Sequence, residues 1–286
     1  MMNQKKHINK RKAFLSFLAT SLMVIWACIA MLPFVFMFCS SLKPGEEMLR
    51  KGLSLTIEPG VSSFSNYDAL NTYRDGIYWH WYKSSVIIMV LQTVIGLFFG
   101  SFVGYGLAMY NFKGRNLIFT LVLVVMMIPF EILLLPLYRM LIRVKLMNTY
   151  FGVILPYLVP PFMIFFFRQY VLGLPKELLE AGRIDGCTDY GVFFRIMVPI
   201  MIPAFGAMTI LSGMNSWNNL LWPMIVLSSN EKFTIPIGMG TTITPYGNAY
   251  DVLMPGAVMA VVPIVILYLF AQRTFLAGLT AGSVKG

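Results

Sequence analysis

Six long apolar segments dominate this sequence, and each is long enough to cross the hydrocarbon core of a membrane as a helix. They lie near residues 13–40, 84–110, 117–140, 151–171, 200–228 and 253–272. A spanning helix needs about 20 mostly apolar residues and satisfies its own backbone hydrogen bonds. No two-residue alternation of polar and apolar residues competes with this reading. The sequence therefore predicts an all-α membrane protein with six transmembrane helices.

The composition excludes an ordinary soluble domain. Apolar residues make up 58% of the 286 residues and charged residues only 12%, whereas soluble domains carry roughly a quarter charged residues. The net charge of +10 comes mostly from basic residues in short gaps between apolar segments. Because no basic stripe with interleaved aromatic residues is present, we expect no nucleic-acid partner. The charge is better explained by orientation in a lipid membrane.

The basic residues also indicate which side each segment occupies. Residues 1–12 are rich in Lys and precede the first apolar segment, which is about twice as long as a signal-peptide core and is expected to be retained. With this N-terminus in the cytosol, the majority of the 22 Lys and Arg residues lie inside. We therefore expect a membrane domain over 13–275 with a polar outer loop at 43–83. An even number of spans places the C-terminal tail, 276–286, in the cytosol.

Small residues and prolines in two of the segments predict details of helix packing. Gly96, Gly100 and Gly104 recur at four-residue spacing, which lets helix backbones approach closely. This stripe fits either a seam within the chain or a contact with a second subunit. Pro156 and Pro160 predict that the fourth span is kinked or broken.

One carboxylate, Glu131, lies inside an apolar segment and directly follows Pro129 and Phe130. A charge in a membrane span costs several kcal/mol on an insertion scale and is a candidate functional group. Three roles remain open for it: a structural partner for a cation, a lining residue of a solute pathway, or a proton carrier.

The fifth apolar segment contains a polar cluster of Asn215, Trp217, Asn218 and Asn219. Amides hydrogen-bond hydroxyl groups and an indole ring stacks on a sugar face, so the cluster suits a neutral, hydroxyl-rich solute. Hydrogen bonding between helices explains the same residues equally well.

No catalytic or metal-binding pattern is present in the sequence. The only histidines, His7 and His80, lie in the basic tail and in an aromatic cluster, and the three cysteines form no CxxC motif. There is no HExxH, GxSxG or GxxxxGK[ST] motif. We therefore expect no catalytic residues, no metal site and no nucleotide site on this chain.

The segment 172–198, between the fourth and fifth spans, is expected to protrude into the cytosol as two short helices. Pro175 suits a helix start, Asp185-Gly186 a turn, and Thr188 the cap of a second helix. An apolar stripe is predicted on the first helix, opposite Glu180, at Leu174, Leu178 and Ala181. Such a stripe could lie on the membrane surface or seat a partner protein.

This segment resembles the EAA loop of permease subunits of bacterial ABC importers. The family pattern is commonly EAA, three residues, Gly, nine residues, then Ile-x-Leu-Pro. Glu180-Ala181-Gly182, Gly186 and Ile196-x-Val198-Pro199 follow it, with Gly182 and Val198 as departures. Further segments are similar to the oligosaccharide branch, including the second permease of maltose importers: Ser41-Leu42-Lys43, Trp217-Asn218, Trp222-Pro223 and the C-terminal Gly278–Gly286.

The resemblance implies a six-span type I permease in the bacterial cell membrane. It implies a sister permease, two ATPase subunits that carry ATP and Mg, and an extracytoplasmic sugar-binding protein. Glu180, Ala181, Gly182, Asp185 and Gly186 would couple to the ATPase. The tail would reach the ATPase interface through Gly278, Leu279, Thr280, Ala281 and Gly282. A proton-coupled transporter using Glu131, or an ABC permease for a non-sugar solute, is the alternative; a membrane enzyme lacks any catalytic set.

Overall fold

The computed structural model describes residues 10–52, 55–58, 61–244 and 247–283. Side chains are described for 14–48, 50, 52, 55–58, 61–243 and 249–272. The helices, in chain order, are α1 Lys10–Ser41, α2 Gly45–Lys51, α3 Ala69–Thr72, α4 Ile77–Met109, α5 Arg115–Met126, α6 Phe130–Arg143, α7 Tyr150–Ile154, α8 Pro161–Leu172, α9 Glu177–Ile184, α10 Asp189–Val192, α11 Val198–Ile200, α12 Ile202–Trp217, α13 Leu221–Val226, α14 Ile235–Gly240 and α15 Tyr250–Ser283. Short 3₁₀ turns lie at Phe64–Asp68, Leu155–Tyr157 and Asn230–Lys232, and a π-helical turn lies at Phe193–Met197. Strand β1 (Ile243–Thr244) pairs antiparallel with β2 (Gly247–Asn248).

Within the described residues, three helices are long and apolar enough to cross a membrane unaided, namely α1, α4 and α15. Three further spans are each made of two helical pieces that meet at a bend: 100° between α5 and α6, 43° between Tyr150–Tyr157 and α8, and 77° between Asp189–Ile200 and α12. Counting each bent pair as one span gives up to six, so the predicted all-α six-span architecture is confirmed.

The bends interrupt the apolar segments predicted at 117–140 and 200–228. Pro129 precedes α6 with ψ of 134°, an extended conformation that ends the preceding helix. Pro203 cannot donate the hydrogen bond that would continue the helix through Met201, where the 77° bend lies. The predicted fifth span also ends early, because α12 stops at Trp217 and a separate helix begins at Leu221. The predicted break in the fourth span is confirmed at Pro160.

Helix α4 is the centre of the packed core, and the glycine stripe seats it against α8. A Cβ atom added at Gly100 would lie 2.6 Å from the Cβ of Met163. One added at Gly104 would lie 2.8 Å from the Cβ of Phe167 and 2.9 Å from the backbone nitrogen of Arg168. The stripe is therefore a seam within the chain, and the reading as a contact with a second subunit is wrong.

The two ends of α4 carry different structures. At its N-terminal end lies a cap from the outer loop, in which Ser41 Oγ and Tyr67 Oη lie 2.9 Å apart and the Gly45 backbone N–H donates to the Asp251 carboxylate. Trp81 Nε1 donates to the Asn230 carbonyl at 2.9 Å on the same side. The C-terminal end of α4 packs against the segment that contains α9 and α10. The predicted outer loop and docking segment thus lie at opposite ends of the bundle.

Two apolar surfaces of the described chain are left largely uncovered. Side chains of α1 project on all sides, with Phe17 72% and Trp26 74% exposed. Met127, at the end of α5, is 83% exposed. A helix that is apolar all round belongs in lipid or against another membrane helix.

Candidate docking loop and solute cavity

The segment between α8 and α12 forms the predicted helix–turn–helix, which we call the docking loop (172–198). Helix α9 ends at a turn in which Gly186 adopts a φ of +78° and the Cys187 N–H donates to the Gly182 carbonyl at 2.9 Å. Thr188 Oγ1 then accepts the Gly191 N–H at 3.1 Å and caps α10, as predicted. A left-handed φ is natural for Gly, which explains why the turn falls at this residue.

Gly182 sets which face of α9 points inward. A Cβ atom there would lie 2.8 Å from Val192 Cγ2 and 2.8 Å from Ile196 Cδ1, so the missing side chain lets α9 approach the next helix closely. Leu179 is buried beside it, whereas Ala181 is exposed. The predicted outward stripe is therefore wrong in part, because Leu174 and Leu178 pack on the chain's own core.

Other apolar side chains of the docking loop face outward. Ile184 is 85% exposed, and Tyr190 and Phe194 are also exposed. Glu180 is exposed and makes no ion pair within the described part of the chain. The loop thus presents an apolar surface next to an unpaired carboxylate, a combination suited to a protein partner with a complementary cation.

Arg183, in contrast, is held by the docking loop itself. Its Nε donates to Asp189 Oδ1 at 3.0 Å and a second guanidinium nitrogen lies 2.9 Å from the same oxygen. This hydrogen bond and the carboxylate charge raise the pKa of Arg183 above its ordinary value. The pair bridges α9 and α10 across the turn, so it helps to fix their relative position.

The docking loop is firmly joined to the bundle. Val192, Phe193 and Met197 are fully buried in a core that also contains Tyr105 of α4 and Phe167 of α8. Because interiors are close-packed and resist deformation, a force on the exposed side of the loop is transmitted to α4 and α8.

A cavity of about 400 Å³ lies halfway along the bundle, between α4, α6, α8 and α12. This volume is within the roughly 300–1,000 Å³ typical of small-molecule sites. Its walls combine aromatic and aliphatic groups with six polar side chains: Gln92, Glu131, Tyr157, Ser212, Asn215 and Asn219. The predicted pathway residues Glu131, Asn215 and Asn219 are therefore brought together by the fold.

Some of the polar groups hold one another in place. Asn219 Nδ2 donates to Tyr157 Oη at 3.1 Å, and Ser216 Oγ donates to Gln92 Oε1 at 3.1 Å. Sequence reasoning missed Gln92 and Tyr157. Gln92 could have been identified as a candidate lining residue from the sequence, since it is the only amide in its apolar segment. Tyr157 had none, because tyrosine is common at helix ends in membranes.

Trp217 and Asn218 do not line this cavity. Asn215 and Asn219 are four residues apart and share one side of the chain, whereas Trp217 points away from it. The Trp217 indole is buried against Tyr82, with ring centroids 5.9 Å apart in an edge-on arrangement. In this structure the indole therefore packs within the chain near the outer end of the bundle and does not lie on the cavity wall.

Glu131 lies in the first turn of α6, directly after the bend at Pro129. It borders the cavity and is exposed, and no cation pairs with it in the described part of the chain. The structural ion-pair role is therefore not supported by the geometry, while the lining role agrees with it.

The C-terminal residues expected to reach a partner continue α15. The helix runs to Ser283, so Gly278, Leu279, Thr280, Ala281 and Gly282 are helical, while their side chains and residues 284–286 lie outside the description. No group of three His, Cys, Asp or Glu side chains that could hold a metal is present among the described residues.

The family profile described as the inner membrane component of binding-protein-dependent transport systems matches residues 96–278. The chain belongs to this family. It is thus a multi-pass membrane permease, a transport subunit rather than an enzyme, that works with other transporter components.

Several proteins are similar to this permease along nearly its whole length. The arabinooligosaccharides transport system permease protein AraQ of Halalkalibacterium halodurans is 53% identical over 97% of this chain and 99% of its own. AraQ of Bacillus subtilis is 51% identical over 93% of this chain and 95% of its own. The lactose transport system permease protein LacG of Rhizobium radiobacter is 31% identical over 93% and 94%.

The fold of this permease also matches a solved structure. A chain of a bacterial ABC transporter involved in the import of the acidic polysaccharide alginate superposes with a TM-score of 0.78, covering 95% of this chain and 100% of that chain. At 21% sequence identity the match shows the fold alone. The docking loop and every cavity-lining residue except Gln92 lie within the family-matched region 96–278.

Proposed function

We propose that this permease is a translocation subunit of an ATP-driven importer of neutral arabino-oligosaccharides. The observation that carries the proposal is the similarity to two AraQ proteins at 53% and 51% identity, against 31% for LacG. The polar cavity supports it, because amide and phenol groups with aromatic neighbours suit hydroxyl-rich solutes.

The importer contains further subunits in this proposal. The uncovered apolar surfaces of α1 and α5 suit a sister permease. The docking loop suits a cytosolic ATPase, one of a pair that carries ATP and Mg. An extracytoplasmic binding protein delivers the sugar to the outer end of the bundle. Closure of the ATPase pair on ATP moves the two docking loops and exposes the pathway to alternate sides of the membrane.

Reconstitution of the complete importer in liposomes tests the solute and the energy source together. We expect uptake of arabinotriose to require the binding protein, and ATP on the side of the membrane that carries the ATPase subunits. We also expect arabinotriose to be taken up faster than lactose. Uptake driven by a proton gradient without ATP would instead show a secondary transporter using Glu131. ATP-dependent uptake of a non-sugar solute in preference to arabinotriose would overturn the assigned substrate.

Glu180 is the residue of the docking loop whose loss tests the coupling step. We expect Glu180→Ala to weaken ATPase binding or to uncouple hydrolysis from uptake, because the partner's cation would be left half-buried and unpaired. Such a loss costs about 2 kcal/mol or more, close to a thirtyfold weaker association.

Lys176→Ala is the matched control, one helical turn away on the same loop. Even a formed Lys176–Glu180 surface pair would contribute only about 0.3–0.5 kcal/mol, and the structure shows none within its described residues. ATPase retention on the purified permease and uptake per ATP hydrolysed are the two measurements. Equal, wild-type values for both variants would remove Glu180 from the coupling step.

A further inference from the structure

We infer that Glu131 makes the cavity electronegative, so that this subunit accepts uncharged oligosaccharides and rejects anionic ones. The inference rests on the proposed sugar-import function and adds to it a charge filter on this chain. It assigns to Glu131 a specificity role in the pathway, in place of an ion pair or a proton relay.

The position of the carboxylate is the first step. Glu131 borders the cavity beside Phe130 and Tyr157, whose rings are stacked with centroids 5.1 Å apart. The bend at Pro129 turns α6 by 100° from α5, which brings the beginning of α6 to the cavity wall. If α5 and α6 formed one continuous helix, Glu131 would lie further along the axis of α5. The bend at Pro129 therefore places the carboxylate at the cavity wall.

The missing counter-charge is the second step. Neither Lys nor Arg is among the cavity-lining residues of the described chain. Arg139 is the next basic residue on α6, eight positions further along the chain, or about 12 Å along the helix axis. The negative charge of Glu131 is therefore not neutralised by a cation of the cavity lining, and the largely apolar lining focuses its field into the cavity.

The uncharged donors and acceptors are the third step. Gln92 and Asn219 each use one side-chain atom in a hydrogen bond within the chain. The Gln92 oxygen accepts from Ser216, and the Asn219 nitrogen donates to Tyr157. The Gln92 nitrogen, the Asn219 oxygen and the Asn215 amide remain available in the described chain. These groups, with the Glu131 carboxylate, can accept from and donate to sugar hydroxyls. A sugar carboxylate or sulfonate in the cavity would meet a like charge. At an effective dielectric near 20 and a separation of about 6–12 Å, the repulsion weakens its binding by on the order of ten- to a hundredfold.

The charge of the cavity can be measured without transport. In the complete purified importer, with Cys28, Cys39 and Cys187 of this chain replaced by Ser, Asn215→Cys places a thiol on the cavity wall. The thiol is treated with a cationic and, separately, an anionic methanethiosulfonate reagent. We expect the cationic reagent to react faster, and Glu131→Gln to lower the ratio of the two rates by about tenfold. The ratio compares two rates on one sample, so a reduced yield of folded importer leaves it unchanged.

Glu131→Asp is the matched control, because it keeps the charge and shortens the side chain. Its ratio of cationic to anionic modification rates should stay near that of the parent.

Protection by added sugar completes the test. Arabinotriose should slow modification in the parent, and trigalacturonate should slow it only after Glu131→Gln. A rate ratio that Glu131→Gln does not move, or equal protection by both sugars in the parent, would overturn the inference.

Parallel uptake assays separate this inference from the proposed function. Normal ATP-driven uptake of arabinotriose with an unmoved rate ratio contradicts the charge filter alone. A ratio that responds to Glu131→Gln without any uptake of arabinotriose contradicts the assigned substrate, while the electronegative cavity stands.

Discussion

Replacement of Gly104 by Ala should destabilise the permease, whereas the same change two residues away should not. The added Cβ would lie 2.8 Å from the Cβ of Phe167, 2.9 Å from the backbone nitrogen of Arg168 and 2.9 Å from the carbonyl oxygen of Ile164. Two of these three atoms belong to the backbone of α8, so no side-chain rotation can relieve the clash. The helices must move apart.

The expected size of the effect follows from these contacts. Overpacking of a tight interior costs about 1–3 kcal/mol, and the better helix propensity of Ala returns up to about 1 kcal/mol. A Cβ at Gly106 meets no atom within 4 Å, so Gly106→Ala keeps only the propensity gain. The two variants should therefore differ by about 1–3 kcal/mol in unfolding free energy, or several degrees in Tm.

Thermal unfolding in detergent, followed by the loss of monodisperse protein in size-exclusion chromatography after heating, measures this difference. The purified permease is compared with both variants in the same buffer and at the same protein concentration. Equal Tm values for Gly104→Ala and Gly106→Ala would refute the packing argument. Dissociation of a second subunit without a lower Tm of this chain would show that the seam faces another protein.

Two further predictions concern the cytosolic side. Deletion of Gly278–Gly286 should lower uptake or ATPase stimulation while the protein still inserts, because the family resemblance implies that this tail reaches the ATPase interface. Unchanged values in both assays would leave the tail without that role. A membrane-impermeant thiol reagent applied to intact cells should label Asn66→Cys in the outer cap and leave Cys187 of the docking loop unlabelled. Strong labelling of Cys187 would reverse the orientation.

The sequence predicts the class of this fold well, because membrane spans are recognised by length and apolarity alone. The sequence predicts helix neighbours and bend angles less well, because these depend on which surfaces pack together in the folded chain. The four-residue glycine spacing predicts close approach, yet only the structure shows that α8 is the neighbour of Gly104. Pro129 marks a break, but the 100° angle depends on the packing of α6 against residues far along the chain.

The candidate site shows the same division. Glu131, Asn215 and Asn219 were identifiable because polar groups in apolar segments are costly and conspicuous. The place of Trp217 could not be predicted, since an indole buries its large apolar surface equally well against a solute or against Tyr82. On the docking loop, Leu174 and Leu178 pack on the chain's own core, and Gly182 makes the close contact with the next helix. A pattern of apolar residues does not reveal which helix face is the closest.

Helix α12 connects the docking loop to the cavity, so a small tilt at its base becomes a larger displacement at its far end. The five-residue π-helical turn and α11 connect α10 to α12 at the 77° bend, and the far end of α12 carries Asn215. The 16 residues of α12 form a rod of about 24 Å, so a tilt of about 5° at its base displaces its tip by about 2 Å. Two ångströms is the difference between a hydrogen bond made and a hydrogen bond broken. A small rotation at the base of α12 is therefore enough to make or break a hydrogen bond of Asn215 at the cavity wall.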